Sequence, residues 1–168
     1  MRKILFAILL AMVLPLVGFA QLPSSGIFEK YKNKEGFEIT AIPSFLIKSF
    51  AESMTSSLKD DEKELVTKCI KSVSSLSFIT ANSSTSGVNN FLTEAGKLSN
   101  NSKYTELISV KQGTSSMKIV SHKNGSTITE ILGFGGDESQ KVLFSVQGNF
   151  TEALIKEVVA KAQKYNKH

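Results

Sequence analysis

Between Phe37 and Ile42 the chain alternates with period two, Phe37, Ile39 and Ala41 against Glu38 and Thr40, which is the pattern of a half-buried strand. Pro43 ends it, and Ser44 stands where a helix N-cap is wanted. Phe45, Leu46, Ile47, Phe50, Ala51, Met54 and Leu58 then recur at helical spacing, which predicts a helix laid on the sheet. Asp61 with Glu64 three positions on resembles a capping box for a further helix carrying Leu65, Val66 and Cys69. The stretch from Ser75 to Thr80 reads as a strand, the polar run Ala81–Gly87 as a loop, and Phe91, Leu92, Ala95 and Leu98 as another helical stripe. Upstream, Ile27–Tyr31 predicts a short first helix, whereas Tyr104–Val110 suits either a last helical turn or an edge strand.

The C-terminal third is patterned most clearly. Met117–Val120 and Ile128–Leu132 flank Asn124-Gly125, a dipeptide suited to the positive φ angles of a type I′ hairpin turn. Gly133–Asp137 predicts a second turn into the strand Val142–Gly148, and Asn149 with Glu152 predicts the cap of a final helix bearing Leu154, Ile155, Val158, Val159 and Ala162. Hairpin-linked strands pair antiparallel, and helices with a single apolar stripe cover a sheet. The expected architecture is therefore α+β, a two-layer sandwich of a mostly antiparallel sheet with helices packed on one face.

Ahead of this domain the pattern changes. Arg2 and Lys3 precede an apolar run from Ile4 to Val17 and the small-residue frame Gly18-Phe19-Ala20, the three regions of a secretory signal peptide. Pro15 inside the run and the small residues at its end favour cleavage between Ala20 and Gln21 over a permanent membrane anchor. No cysteine stands at the junction, so lipid attachment there is excluded. The expected organisation is a signal peptide over 1–20, a polar leader over 21–26 and a single domain over 27–164. About 150 residues then remain, enough for one ordinary core.

Charge and cysteine count narrow the chemistry. Losing Arg2 and Lys3 lowers the formal charge from +5 to +3, and every remaining basic residue is a lysine. Without arginine, bidentate readout of bases and phosphates is lost, so nucleic acid is not an expected partner. The lone Cys69 forms no internal disulfide; on an apolar stripe it reads as a small core residue, with a reactive thiol as the alternative. His122, with Glu130 or Asp137 near it in sequence, offers a general base for a hydrolase, against a plain polar residue beside the hairpin turn. Gly133-Phe134-Gly135-Gly136 lacks the Lys-Ser/Thr of a phosphate-binding loop and reads as a turn. One cysteine and two histidines in no zinc spacing predict no metal site, and nothing calls for a cofactor.

The order of these features resembles a family of secreted Bacteroidota proteins, the domain-of-unknown-function family DUF4252. Ile27-Phe28-Glu29-Lys30-Tyr31, Ser72 to Ile79, the block Tyr104–Lys111, the hairpin and the strand Val142–Gly148 carry the resemblance. It implies an exported α+β domain and supplies no functional residues to carry over. The expectation is thus a non-enzymatic interaction or accessory domain of the periplasm or cell envelope, with an envelope protein as partner. A carrier of a lipid or other small apolar ligand, held between the sheet and the helical stretches 45–58 and 151–162, is the alternative. A hydrolase using His122 stands third.

Overall fold

The computed structural model describes residues 22–165. The signal peptide expected over 1–20, the cleavage point at Ala20 and Gln21, and the residues after Tyr165 lie outside it. Helix α1 (Ser25–Tyr31) leads to β1 (Phe37–Pro43), α2 (Ser44–Thr55), α3 (Asp60–Ser72), β2 (Val73–Asn82) and α4 (Val88–Ser99). The meander β3 (Tyr104–Gln112), β4 (Ser115–Asn124), β5 (Thr127–Gly136) and β6 (Gln140–Phe150) follows, and α5 (Glu152–Tyr165) closes the chain. The six strands form one antiparallel sheet in the order β1-β2-β6-β5-β4-β3. The α+β class and the antiparallel sheet agree with the alternation in the sequence, and the ambiguous segment at Tyr104 is a strand.

The helices differ from expectation in one respect: they are shared between both faces of the sheet. Neighbouring strand residues point to opposite sides, and Leu132 belongs to one apolar cluster while Ile131 belongs to the other. On the first face Ile27 and Tyr31 of α1 and Val88, Phe91 and Ala95 of α4 pack over Phe37, Ile79, Val120, Leu132 and Leu143. Tyr31, Phe37 and Phe91 meet there with ring centroids 4.6–5.5 Å apart, two of the three pairs edge-on, which adds to the area they bury. On the second face Leu65 and Cys69 of α3 and Leu154, Ile155, Val158 and Val159 of α5 pack over Ile128, Ile131, Val146 and Phe150. The arrangement has three layers because α1 and α4 cover the side that α3 and α5 leave open.

Four local expectations are corrected. Ser44 is the first residue of α2 and makes no cap bond. Helix α3 begins one residue before Asp61: Glu62 accepts a bond from the Lys59 amide, and Asp61 is drawn instead to Lys161 of α5 at 2.7 Å. Thr151, not Asn149, caps α5, its hydroxyl accepting from the Leu154 amide at 3.2 Å. At the hairpin, Gly125 takes φ +61° while Asn124 keeps negative φ and pairs with Thr127, so glycine fills the first turn position, as in a type II′ turn.

The predicted turn at Gly133–Asp137 is also displaced. Gly133 to Gly136 continue β5, and the reversal falls on Asp137–Ser139. The Phe144 ring lies on Gly133 inside the strand; a Cβ there would sit 2.2 Å from that ring, which would have to move. With these glycines in the ladder, the run forms no phosphate cradle.

Candidate functional site

One row of paired residues crosses all six strands: Pro43, Ser75, Gln147, Glu130, His122 and Tyr104. It marks one end of the sheet, and two β-bulges lie beside it, between Val73 and Ser75 and between Ile128 and Glu130. The second bulge breaks strict alternation, so Ile128 enters one core while Glu130, two positions on, points into the other. Bulges re-aim side chains in this way.

Glu130 is fully buried. Its carboxyl accepts hydrogen bonds from Ser24 Oγ and Ser145 Oγ on one oxygen and from Tyr104 OH, at 2.6 Å, on the other. A buried carboxyl without partners would be strongly destabilising; three hydroxyls from α1's entry, β3 and β6 satisfy it. Among the described residues no buried side-chain nitrogen or oxygen lacks a partner. Burial, and after it the charge of Glu130, pushes the Tyr104 phenol well above its ordinary range, so it stays a donor. This cluster ties the segment before α1 to the centre of the sheet.

His122 is next to it but not part of it. Its Nδ1 meets Thr129 Oγ1 at 3.1 Å, and its ring stands 5.7 Å from that of Tyr104. It lines a polar recess of about 280 Å³ with Leu22, Ser74, Asn124, Thr129 and Gln147. The carboxyl of Glu130 is taken by the three hydroxyls, and Asp137 sits at the far end of β5, bonded to Ser139 and Gln140. Neither carboxylate considered for His122 is therefore placed to orient it. A crevice of about 620 Å³ opens at the far end between β1, β2 and Ser139; Glu38 is its one titratable lining residue, so it holds no acid–base pair. Among the described residues no three His, Cys, Asp or Glu groups gather as a metal site.

The second face carries two further features. Between α3 and α5 an apolar groove of about 430 Å³ is lined by Leu58, Leu65, Val66, Cys69, Val158 and Ala162, with Glu62 and Lys161 at its rim. The Cys69 thiol is pushed up chiefly by burial and then by Glu157, which disfavours a reactive thiolate. On α2, by contrast, the expected buried stripe is turned outward. Ala51 and Ile47 are half-buried and Thr55 is buried, while Phe45 is 65 %, Phe50 58 % and Leu46 39 % exposed. These three and Val110 are the only exposed large apolar residues described.

Sequence reasoning named Glu130 only as a partner for His122 and missed Ser24, Tyr104 and Ser145. The available signal was parity: Glu130 shares the inward phase of Leu132. The apolar residues of α2 at 45–47, 50, 51 and 54 form one wide stripe, and nothing in their spacing could show which edge of it faces outward. No described helix is long and apolar enough to cross a membrane. No curated protein and no solved structure matches the chain. Residues 31–158, spanning β1 to β6 and the first turns of α5, match the family described as Domain of unknown function (DUF4252), and the chain belongs to that family.

Proposed function

We propose that this protein is an exported accessory domain of the cell envelope that works by docking, through the outward face of α2, and not by catalysis. The observation that carries the reading is the clustering of Phe45, Leu46 and Phe50, three of the four exposed large apolar residues described, on one helix. Clustered exposed apolar groups mark interaction sites. The leader pattern at residues 1–20 supports export, and the separation of His122 from both carboxylates speaks for binding over hydrolysis.

A photo-cross-linking amino acid at position 50, in cells expressing the chain, tests this directly. It should give a discrete adduct that the same group at Lys111, at the far end of the sheet, does not. Equal labelling from both positions would end the proposal.

The α3–α5 groove favours a second reading, a carrier of a small apolar ligand, since its volume falls within the range of small-molecule sites. The cavity lies between two helices, with Leu58 its one described lining residue from the 45–58 stretch, and not between helix and sheet as that stretch suggested. Mass spectrometry of gently purified protein should then show a retained apolar molecule, and Val158→Trp should expel it.

A further inference from the structure

Leu22, where the described chain begins, lines the recess with Ser74, His122 and Asn124 at the bulged end of the sheet. Helix α2 starts at that same end, because Pro43, its immediate predecessor, pairs with Ser75. The point where residues 1–21 join the domain and the first turn of α2, with Phe45 and Leu46, therefore lie on one side of the molecule.

The charges at that end are mostly of one sign. Lys71 closes α3, Lys103 precedes β3, Lys123 enters the hairpin and Lys48 stands in α2, all four exposed. Against them stand Glu152, which pairs with Lys123 and Lys156, and Glu106, which pairs with Lys118. The acidic first turn of α3, Asp60, Asp61 and Glu62, is at the opposite end of its helix. The far end of the sheet is mixed, with Glu35, Glu38, Asp137 and Glu138 among Lys34, Lys111 and Lys141. Exposed phenylalanines and a leucine beside a surplus of lysines are the composition of a surface that enters the headgroup layer of anionic lipid.

We propose that the bulged end of the domain rests on the membrane from which the chain emerges, with Phe45, Leu46 and Phe50 inserted among the headgroups and Lys48, Lys71 and Lys103 facing lipid phosphates. This rests on the docking reading above and names its occupant. Contact needs no retained anchor: the binding of an amphipathic surface grows with the apolar area it buries and with its attraction to anionic lipid, which the apolar side chains and the lysines supply.

The test is co-sedimentation of the chain beginning at Gln21 with vesicles of phosphatidylethanolamine and phosphatidylglycerol, and with vesicles of phosphatidylcholine alone. The chain should pellet with the anionic vesicles and be released by salt, which screens surface charge. Phe45→Ser with Phe50→Ser, and separately Lys71→Glu with Lys103→Glu, should each weaken binding about tenfold or more, while Lys111→Glu changes nothing. The chain has no tryptophan, so Phe45→Trp gives a single indole, excited selectively over the tyrosines, whose emission should shift to the blue on anionic vesicles even if the double serine variant folds poorly. Absence of pelleting at low salt, or an unshifted emission spectrum from the Phe45→Trp variant, overturns the lipid assignment. If position 50 still cross-links one envelope protein, docking stands with a protein as occupant; if neither vesicle nor cross-link responds to α2, both proposals fall.

Discussion

The two faces of the sheet are built on different terms. The first is sealed: three aromatic rings interlock, Phe91, Ile79, Leu132 and Leu143 have no exposed surface, and the one buried carboxyl is met by three hydroxyls. The second is partly open. Its buried cluster is smaller, a groove separates α3 from α5, and α2 turns its largest apolar side chains outward. Burial is thus unequal between the faces: the polar cluster ties the segment before α1 into one, while the other leaves apolar groups accessible.

The strongest way to break this contrast is at Glu130. Glu130→Leu strands three hydroxyls inside the sealed face and should cost about 3–5 kcal/mol, read as a lowered urea midpoint. A loss under about 1 kcal/mol would show that the cluster does not secure this face.

Tyr104 offers a pH test of the same face. Its phenol is held above its ordinary value of about 10, so the folded state keeps a proton that the unfolded state releases. The contribution is full below pH 10, and stability should fall above it by up to about 1.4 kcal/mol per pH unit. Tyr104→Phe should be less stable at neutral pH and lose this alkaline slope.

The open face predicts the reverse. Phe50→Ser should change stability by no more than about 0.5 kcal/mol while removing the adduct formed by a cross-linking group placed at position 45 of α2. A large drop in midpoint would mean that Phe50 packs in solution, and the contrast would fail.

The smallest effect belongs to neither face. Asp137 in the β5–β6 turn is held down to about 2, first by the Ser139 hydroxyl and then by the Gln140 and Ser139 amides. A depressed carboxyl stabilises above its unfolded value near 3.8 and loses that contribution as pH falls through about 2. Asp137→Asn should therefore unfold slightly earlier than the parent chain at pH 6 and together with it near pH 2. A gap of equal size at both pH values would show that charge is not the cause.

Much of this was legible one element at a time. Period-two alternation at Phe37–Ile42 and around the Asn124-Gly125 hairpin predicts the strands because sheet geometry is written in neighbours. Caps were less legible: Ser44, Asp61 and Asn149 have the right chemistry, yet helix ends move by a residue or more when a tertiary partner such as Lys161 claims the side chain. Gly133, Gly135 and Gly136 read as a turn because what crowds them, the Phe144 ring at the first and neighbouring-strand backbone at the other two, is visible only after pairing.

The sequence by itself determined the class, the antiparallel meander and the apolar supply for a core, since these follow from local periodicity and turn chemistry. Only the tertiary structure decided that helices cover both faces, that a bulge sends Glu130 toward Ser24 and Ile128 the other way, and that α2 faces outward with Phe45 and Phe50. The reason is physical: periodicity tells a side chain which neighbours share its face, but which face meets another layer depends on strands and helices far away in the chain.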